Sequence, residues 1–326
     1  MTALPEPIEN VTFRHFGGDE DFVGMVAMLK AQARHDGVDR HDSVEEMTNY
    51  YHHLTNCDLE TDLAIAERSG EIVAYCRATW WVEESTADRV LAFIEWTHPE
   101  VRSLGVEGAL VGWGESRSRD IAVEQAYEGH QVLQTWADEP EQDKIKLIEA
   151  TGFAVTQTDV MMTRSLDVPI PELHLPEGLE IRPVTEADRR KVWEADLEAF
   201  RDHVGFSLPT EEDFEQFANQ PHFDPALWKV AFDGDEIASQ VLNYVAEDDE
   251  PGRKRGWTEW ISTQRAWRGK GAAKAVIAES MRMFKDMGMT EVALAVHTTN
   301  PTGALGLYQG LGYQEVQRSF EFRKPF

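Results

Sequence analysis

The clearest pattern of apolar and polar positions lies in the C-terminal half of the chain, between residues 257 and 296. Apolar residues recur there at helical spacing and predict a helix over residues 274–287, with Gly288 as its C-cap. A strand-like run at residues 257–263 and an apolar run at residues 292–296 predict a strand on each side. The helical stripe is expected in the core and consists of Ala273, Val276, Ile277, Met281, Phe284 and Met287.

The same order of predicted elements occurs in both halves of the chain. Short strands at residues 11–15 and 179–183 open the halves, and each is followed by a helical region and two strands around a glycine-bearing turn. Three prolines within residues 167–178 predict an extended linker. The sequence therefore predicts a tandem repeat, with one domain over residues 8–166 and the other over residues 179–326.

Composition narrows the class of protein. A length of 326 residues fits two domains. The excess of 59 acidic over 31 basic residues, a formal net charge of −28, argues against a nucleic-acid partner, since phosphate backbones require basic surfaces. No apolar run approaches a membrane span, and the first residues do not resemble a signal peptide. A cytoplasmic protein is expected, with Cys57 and Cys76 as buried small residues and no metal site.

A basic turn joins the strand at residues 257–263 to the helix that follows it. Residues 265–274 contain four basic side chains and no acidic one, in a strongly acidic protein. Backbone N–H groups at a helix N-terminus favour an anion, and Gly269 and Gly271 would let one approach the backbone closely. The sequence therefore predicts a diphosphate-binding turn. Because the Gly-Lys-Ser/Thr ending of a nucleotide P-loop is absent, an ATPase is disfavoured.

This turn and the segment that follows it resemble the GCN5-related N-acetyltransferase (GNAT) superfamily. Arg268, Gly271 and Ala273 match the Arg-x-x-Gly-x-Ala signature, and Tyr308 stands four residues before Gly312, as in the second motif. The resemblance implies an α+β fold in each half, with a mixed, mostly antiparallel central sheet flanked by helices. It also implies acetyl-CoA as co-substrate and no metal. The residues that the resemblance assigns to the coenzyme are Ile261, Ser262, Thr263, Arg268, Gly269, Lys270, Gly271, Ala272, Ala273 and Asn300.

Two side chains are candidates for proton transfer. The resemblance suggests that Tyr308 protonates the departing thiolate and that Glu259, nine residues before Arg268, accepts the proton of the amine. An acidic residue on an otherwise apolar strand should have a raised pKa. Two alternatives remain open: Tyr308 packs on the sheet as a structural aromatic, or Glu259 pairs with a base or only positions the amine. Asn300 precedes Tyr308 by eight residues, where seven is more usual in the superfamily.

The N-terminal half keeps the order of elements but departs from the motifs. Glu107 stands where the C-terminal half has Ala273, and a carboxylate there would repel a diphosphate. Ile148 stands where the C-terminal half has Tyr308. This layout resembles tandem acetyltransferases of the mycothiol synthase type. It predicts a half retained for packing, and a monomer with an internal pseudo-dimer.

The sequence thus predicts an acetyl-CoA-dependent N-acetyltransferase that acts on a small-molecule amine and has one active site, in the C-terminal half. A non-catalytic acyl-CoA sensor or scaffold is one alternative, and transfer of another acyl group is a second. His297 is expected to be a satisfied histidine at a strand end.

Overall fold

The computed structural model describes residues 2–40, 42–203, 205–246, 252–299 and 303–326. Two compact units make up the chain. Unit 1 consists of Met1–Thr158, Ser207–Asp213 and Gln317–Phe326, and unit 2 consists of Asp159–Phe206 and Phe214–Val316.

The strands and helices of the described residues follow one another in nearly the same order in the two halves. In chain order the strands are β1 (Val11–His15), β2 (Leu63–Arg68), β3 (Glu71–Val82), β4 (Arg89–Thr97), β5 (Gln131–Asp138), β6 (Ala154–Ser165), β7 (Leu179–Arg182), β8 (Lys229–Asp233), β9 (Glu236–Tyr244), β10 (Arg255–Thr263), β11 (Glu291–His297) and β12 (Gln314–Pro325). The helices are α1 (Glu20–Asp36), α2 (Val44–His52), α3 (Leu59–Asp62), α4 (Pro99–Arg102), α5 (Val106–Glu124), α6 (Gln142–Ala150), α7 (Arg189–Phe200), α8 (Glu211–Ala218), α9 (Ala272–Asp286) and α10 (Ala304–Gly310).

The sheet of unit 1 has the strand order β1-β2-β3-β4-β5-β12. Only β4 and β5 run parallel; the other neighbours in this sheet are antiparallel. Helix α5 covers one face through Leu110 and Val111. Helices α1 and α2 cover the other through Phe22, Met25 and Met47.

Unit 2 repeats this arrangement with the strand order β6-β11-β10-β9-β8-β7, in which only β10 and β11 run parallel. Helix α9 packs on one face through Val276 and Phe284. Helices α7 and α8 pack on the other through Val192, Trp193 and Phe217. The predicted α+β fold, a mixed and mostly antiparallel sheet flanked by helices in each half, is confirmed.

The last strand of each sheet comes from the opposite half of the chain. Residues 317–325 of β12 belong to unit 1 and pair with β5, whereas residues 159–165 of β6 belong to unit 2 and pair with β11. A domain boundary at the predicted linker, residues 167–178, would place β6 in the N-terminal domain and β12 in the C-terminal domain. The structural units are therefore discontinuous in sequence.

The helix predicted over residues 274–287 is α9. Val276, Ile277, Met281 and Phe284 are buried, as the helical stripe predicts. Gly288 follows the helix with a φ of 82°, which suits its predicted role at the C-terminus. Met287 is 45% exposed, so its place in the predicted core is wrong; the helix ends at Asp286, one residue before it.

Of the two cysteines, Cys76 is buried as expected and Cys57 is half-buried. In the described parts of the chain, no helix combines the length and the apolar character needed to cross a membrane.

Candidate active site

A β-bulge in β10 opens a gap in the sheet of unit 2. The parallel ladder between β10 and β11 runs only from Arg255–Glu291 to Trp257–Ala293. Two residues later, the register of β10 against β9 shifts between Glu259 and Ser262. An inserted residue bends a strand and increases its twist. The bulge therefore turns the end of β10 away from β11, and a cavity opens between the two strands.

Trp260 is the residue at the bulge and has a φ of 48°. A bulky side chain in the left-handed region is strained, so other contacts must hold it there. The indole ring of Trp260 packs against the rings of Phe217 and Phe223, with centroid distances of 5.2 and 5.8 Å. These aromatic contacts stabilise the bulge that forms the cavity.

The cavity has a volume of about 1020 Å³, which is enough for a sizeable ligand. Most of the site residues predicted from the sequence line it: Glu259, Ile261, Ser262, Thr263, Arg268, Gly269, Gly271, Ala272, Ala273 and Tyr308. Lys270 is not among the lining residues. Its amine lies 4.6 Å from the centroid of the Trp267 ring in a cation–π contact. Asn300 lies outside the described residues.

The turn before α9 has the backbone geometry of an anion-binding site. Gly269 and Gly271 have φ values of 72° and 91°, a region that glycine adopts readily. A Cβ atom built on either glycine meets nothing within 4 Å, so the space in front of the turn is open. Among the residues that the structure describes, no side chain caps the N-terminus of the 15-residue helix α9. Its first N–H groups are therefore available for an anionic ligand such as a diphosphate.

Glu259 lies in the wall of the cavity, beside the gap between β10 and β11. Its Oε1 atom accepts a hydrogen bond from the main-chain N–H of Ala295 at 2.9 Å. Desolvation raises the pKa of Glu259 to about 7, although the backbone N–H groups of Ala295 and Trp260 lower it in part. The raised pKa expected for this carboxyl is confirmed, and it would exchange a proton near neutrality.

Tyr308 reaches the same cavity from α10. Its ring is 7% exposed and packs edge-on against Tyr313, with the centroids 6.0 Å apart. Burial, the charge of Glu259 and the neighbouring Tyr313 all raise the pKa of the Tyr308 hydroxyl, so it stays protonated at neutral pH. Among the described residues it forms no hydrogen bond, whereas the hydroxyl of Tyr313 pairs with Thr258 Oγ1 at 2.8 Å. The proton of Tyr308 is therefore available to a ligand in the cavity.

Asp196 on α7 is a lining residue that the motifs did not indicate. It is 5% exposed, hydrogen-bonds the side chain of Ser262, and accepts a bond from Gln240 Nε2 at 3.4 Å. Burial raises its pKa to about 7. One feature of the sequence could have revealed Asp196. It is an acidic residue on the buried face of α7, where its neighbours are Val192, Trp193 and Ala199.

The rim of the cavity carries further polar groups. His297 Nδ1 lies 3.1 Å from Asp159 Oδ1, so His297 is a paired histidine at the end of β11, as expected. His203 and Phe200 also line the cavity, and their rings are 4.3 Å apart. Burial lowers the pKa of His203. In the described part of the chain, no group of His, Cys, Asp or Glu side chains is arranged to hold a metal ion.

The corresponding place in unit 1 is filled by a buried lysine. Lys144 stands four residues before Ile148, as Ala304 stands four residues before Tyr308. Lys144 Nζ donates to the main-chain oxygen of Glu95 on β4 at 2.6 Å, and lies 3.5 Å from the Glu95 carboxylate. Lys144 is 4% exposed. In unit 2, Ala304 lines the cavity instead.

Comparison with known proteins agrees with this geometry. Residues 190–313 match the Acetyltransferase (GNAT) family. The C-terminal half of the chain therefore contains a region of the GNAT family. Enzymes of this family use acetyl-CoA, and the matched region identifies the chain as an acetyltransferase.

Relatives and solved structures extend the likeness over most of the chain. It is 26% identical over 256 residues to a mycothiol acetyltransferase of Geodermatophilus obscurus, covering 77% of this chain and 78% of the relative. A GCN5-related N-acetyltransferase from Sphaerobacter thermophilus has a TM-score of 0.70 and 26% identity, covering 99% of this chain and 97% of that one. A tandem GNAT protein from the clavulanic acid biosynthesis pathway shares the fold, with a TM-score of 0.66 and 13% identity over 97% and 98% of the two chains.

Proposed function

We propose that unit 2 transfers an acetyl group from acetyl-CoA to the amine of a small molecule, and that its cavity is the single active site of the chain. The observation that carries this proposal is the meeting of three groups at one cavity: Glu259, Tyr308 and the uncapped N-terminus of α9. They supply the functions that amide formation from a thioester requires: a proton acceptor, a proton donor and an anion-binding turn.

The turn at Gly269–Gly271 would hold the diphosphate of acetyl-CoA. The backbone N–H groups at the start of α9 lack side-chain caps, and the open space at Gly269 and Gly271 admits a phosphate. The backbone of residues 261–263 lies along the same cavity beyond the bulge. We propose that its N–H groups face the acyl end of the coenzyme.

Glu259 would take up the proton that the amine releases. A primary amine is protonated at neutral pH and must lose a proton before it attacks a carbonyl carbon. A carboxylate with a pKa of about 7 can accept that proton and return it to solvent. Its hydrogen bond to Ala295 N–H fixes its direction.

Tyr308 would protonate the thiolate as the C–S bond breaks. Its hydroxyl is protonated at neutral pH and forms no hydrogen bond to the described residues. Because Glu259 is close enough to raise the pKa of Tyr308, the two groups are neighbours at one cavity. This arrangement supports removal of one proton and delivery of another around the same reacting centre.

The acidic wall of the cavity supports an amine as the acceptor. Asp159, Asp196 and Glu259 line it, and two of these carboxyls have pKa values of about 7. Such groups favour a cationic ligand over an anionic one. The likeness to mycothiol acetyltransferases supports an acceptor of low molecular weight.

Unit 1 would bind no coenzyme. Lys144 occupies the place where unit 2 has a cavity, and Glu107 is the second residue of α5, at the turn that corresponds to the phosphate turn. A phosphate 4 Å from a carboxylate would lose about 4 kcal/mol at an effective dielectric of about 20. Retention of unit 1 for packing is part of the proposal.

Acetyl-CoA binding followed by turnover tests the function. Calorimetry with acetyl-CoA is expected to give one site per chain, and a panel of small amines is expected to contain an acceptor that releases free coenzyme A thiol. If acetyl-CoA binds but is transferred to no amine, and Glu259→Gln leaves the turnover of acetyl-CoA unchanged, the alternative of a non-catalytic acyl-CoA sensor is favoured. No binding of acetyl-CoA at all would refute the proposed function.

A further inference from the structure

All three guanidinium nitrogens of Arg268 bond to protein atoms. Nε donates to the main-chain oxygen of Thr263 at 3.1 Å. Nη1 donates to Asp202 Oδ2 at 2.7 Å, and Nη2 donates to the main-chain oxygen of Ala199 at 2.8 Å. Arg268 thus joins the end of β10 to the C-terminal end of α7. In this arrangement each guanidinium nitrogen has a protein acceptor, although Arg268 also lines the cavity.

Two of these contacts, from Nε to a main-chain oxygen five residues earlier and from Nη1 to an aspartate, recur in unit 1, where the turn carries Glu107. Arg102 Nε donates to the main-chain oxygen of Thr97 at 3.3 Å, five residues earlier, as Arg268 does to Thr263. Arg102 Nη1 and Nη2 donate to the carboxylate of Asp36, the last residue of α1, at 2.7 and 2.5 Å. An arginine that served only to bind a diphosphate would have no reason to keep this geometry in a unit without that ligand.

Arg265 adds a second arginine to Asp202. It donates to both carboxylate oxygens, at 2.9 and 2.7 Å, and to Glu198 Oε1 at 3.0 Å. Hydrogen bonds from Arg265 and Arg268 hold the pKa of Asp202 well below its usual range, so Asp202 is ionised at all ordinary pH values. Two of the four basic residues in the turn are therefore paired with acids of α7 and the residues after it. Half of the positive charge of the run is therefore compensated by acidic residues in the structure.

We propose that Arg268 and Asp202 form a clamp that positions the phosphate turn relative to α7, and that the Arg268 side chain does not contact the diphosphate. The inference rests on the proposed function, because it assumes that acetyl-CoA binds at this turn. Helix α7 carries Asp196, Ala199 and Phe200 into the cavity, and the turn carries Gly269 and Gly271. The clamp therefore fixes the spacing between the acceptor wall and the coenzyme turn.

The variant Asp202→Asn separates the two roles because they predict opposite signs. If Arg268 bound the diphosphate, removing the competing negative charge of Asp202 would free the guanidinium and strengthen acetyl-CoA binding. The clamp instead predicts weaker binding, by about 3- to 10-fold, since it loses its charge-assisted bonds. Unchanged or tighter binding in Asp202→Asn would overturn the inference.

Arg268→Lys gives an independent answer. Lysine keeps the charge but cannot make three bonds in the directions of a guanidinium. The clamp predicts that Arg268→Lys loses affinity as Asp202→Asn does. It also predicts that both variants lose kcat/KM with a truncated acetyl thioester that has no diphosphate. Wild-type affinity in Arg268→Lys, or normal kcat/KM with the truncated donor, would overturn the clamp.

Asp36→Asn and Arg102→Lys are the matched controls in unit 1. They break the same bonds at the repeat position, and acetyl-CoA affinity is expected to stay at the wild-type value in both. A loss of affinity in these controls equal to that in Asp202→Asn would mean that general destabilisation explains the effect, and would overturn the clamp. Absence of acetyl-CoA binding to the wild-type chain would refute the proposed function instead, so the two failures are distinguishable.

Discussion

Glu259 Oε1 accepts a hydrogen bond from the main-chain N–H of Ala295 at 2.9 Å, two residues beyond the last ladder pair between β10 and β11, Trp257–Ala293. A side chain thus takes over where the backbone ladder stops. The bond lies at the opening of the gap and holds the carboxylate beside the cavity. One residue thereby satisfies an otherwise unpaired N–H of β11 and supplies the candidate base.

Glu259→Gln should keep the shape of the side chain and remove the proton acceptor. Turnover at neutral pH is expected to fall by about 10²–10⁴-fold, with little change in acetyl-CoA affinity. In the wild type, kcat/KM should rise with pH through about 7 as Glu259 loses its proton, and the variant should lack this rise. Steady-state kinetics over pH 5–9 at ~0.5-unit intervals would check it. Unchanged turnover would restrict Glu259 to a structural role.

Tyr308→Phe should preserve the packing against Tyr313 and remove the hydroxyl. If the hydroxyl is the proton donor, turnover falls by about 10²–10⁴-fold while acetyl-CoA affinity is retained. Tyr313→Phe is the matched control, since that hydroxyl pairs with Thr258 and does not line the cavity. Equal turnover in the wild type and Tyr308→Phe would make Tyr308 a structural aromatic.

Gly271→Glu should abolish acetyl-CoA binding, because it places a negative charge and a side chain in the space in front of α9. Gly271→Ala controls for the left-handed backbone, which costs a residue with a Cβ about 1 kcal/mol. Gly105→Glu introduces the same strain and charge in unit 1, where the φ is 88°. Calorimetry should show no binding for Gly271→Glu and wild-type binding for Gly105→Glu. Coenzyme affinity that survives Gly271→Glu would exclude this turn as the diphosphate site.

Asp196→Asn should change how stability depends on pH. Burial raises the folded-state pKa of Asp196 to about 7, above the ordinary aspartate value of 3.8, so the folded protein binds the proton more tightly than the unfolded chain. Stability therefore falls as pH rises from about 4 to 7, by on the order of 2–4 kcal/mol from this group. Asparagine cannot ionise, so the free energy of unfolding of the variant should increase relative to that of the wild type between pH 4 and pH 7. Denaturant unfolding at pH 4.5 and 8 would show it; a stability difference that does not vary with pH would contradict the burial of an ionisable Asp196.

Much of this fold follows from local patterns. The stripe of α9 and the apolar runs of β10 and β11 are contiguous in sequence, so periodicity alone predicts them. The exchange of β6 and β12 is different, because both are ordinary strands in sequence and their partners depend on long-range packing. Of the residues that line the cavity, the sequence predicted only those that belong to the motifs. The bulge at Trp260 has no glycine to mark it, and Asp196 belongs to a helix without a motif.

The charge of the phosphate turn could be predicted from the sequence only in part. Four basic residues between 265 and 274 indicated a positively charged turn, since sequence shows charges without their partners. In the structure, acids of α7 and the residues after it, Glu198 and Asp202, pair with Arg265 and Arg268. The backbone geometry of Gly269 and Gly271, more than the side-chain charge, distinguishes the turn as an anion site.

The number of acetyl-CoA molecules bound per chain tests the central claim most directly. Isothermal titration of the full chain with acetyl-CoA should give a stoichiometry of one, which Gly271→Glu reduces to zero and Gly105→Glu leaves at one. We expect unit 1 to contribute no site, because Lys144 bonds to Glu95 at the position that corresponds to Ala304 in the cavity of unit 2. A stoichiometry of two, or binding that persists in Gly271→Glu and is lost in Gly105→Glu, would contradict a single active site in unit 2.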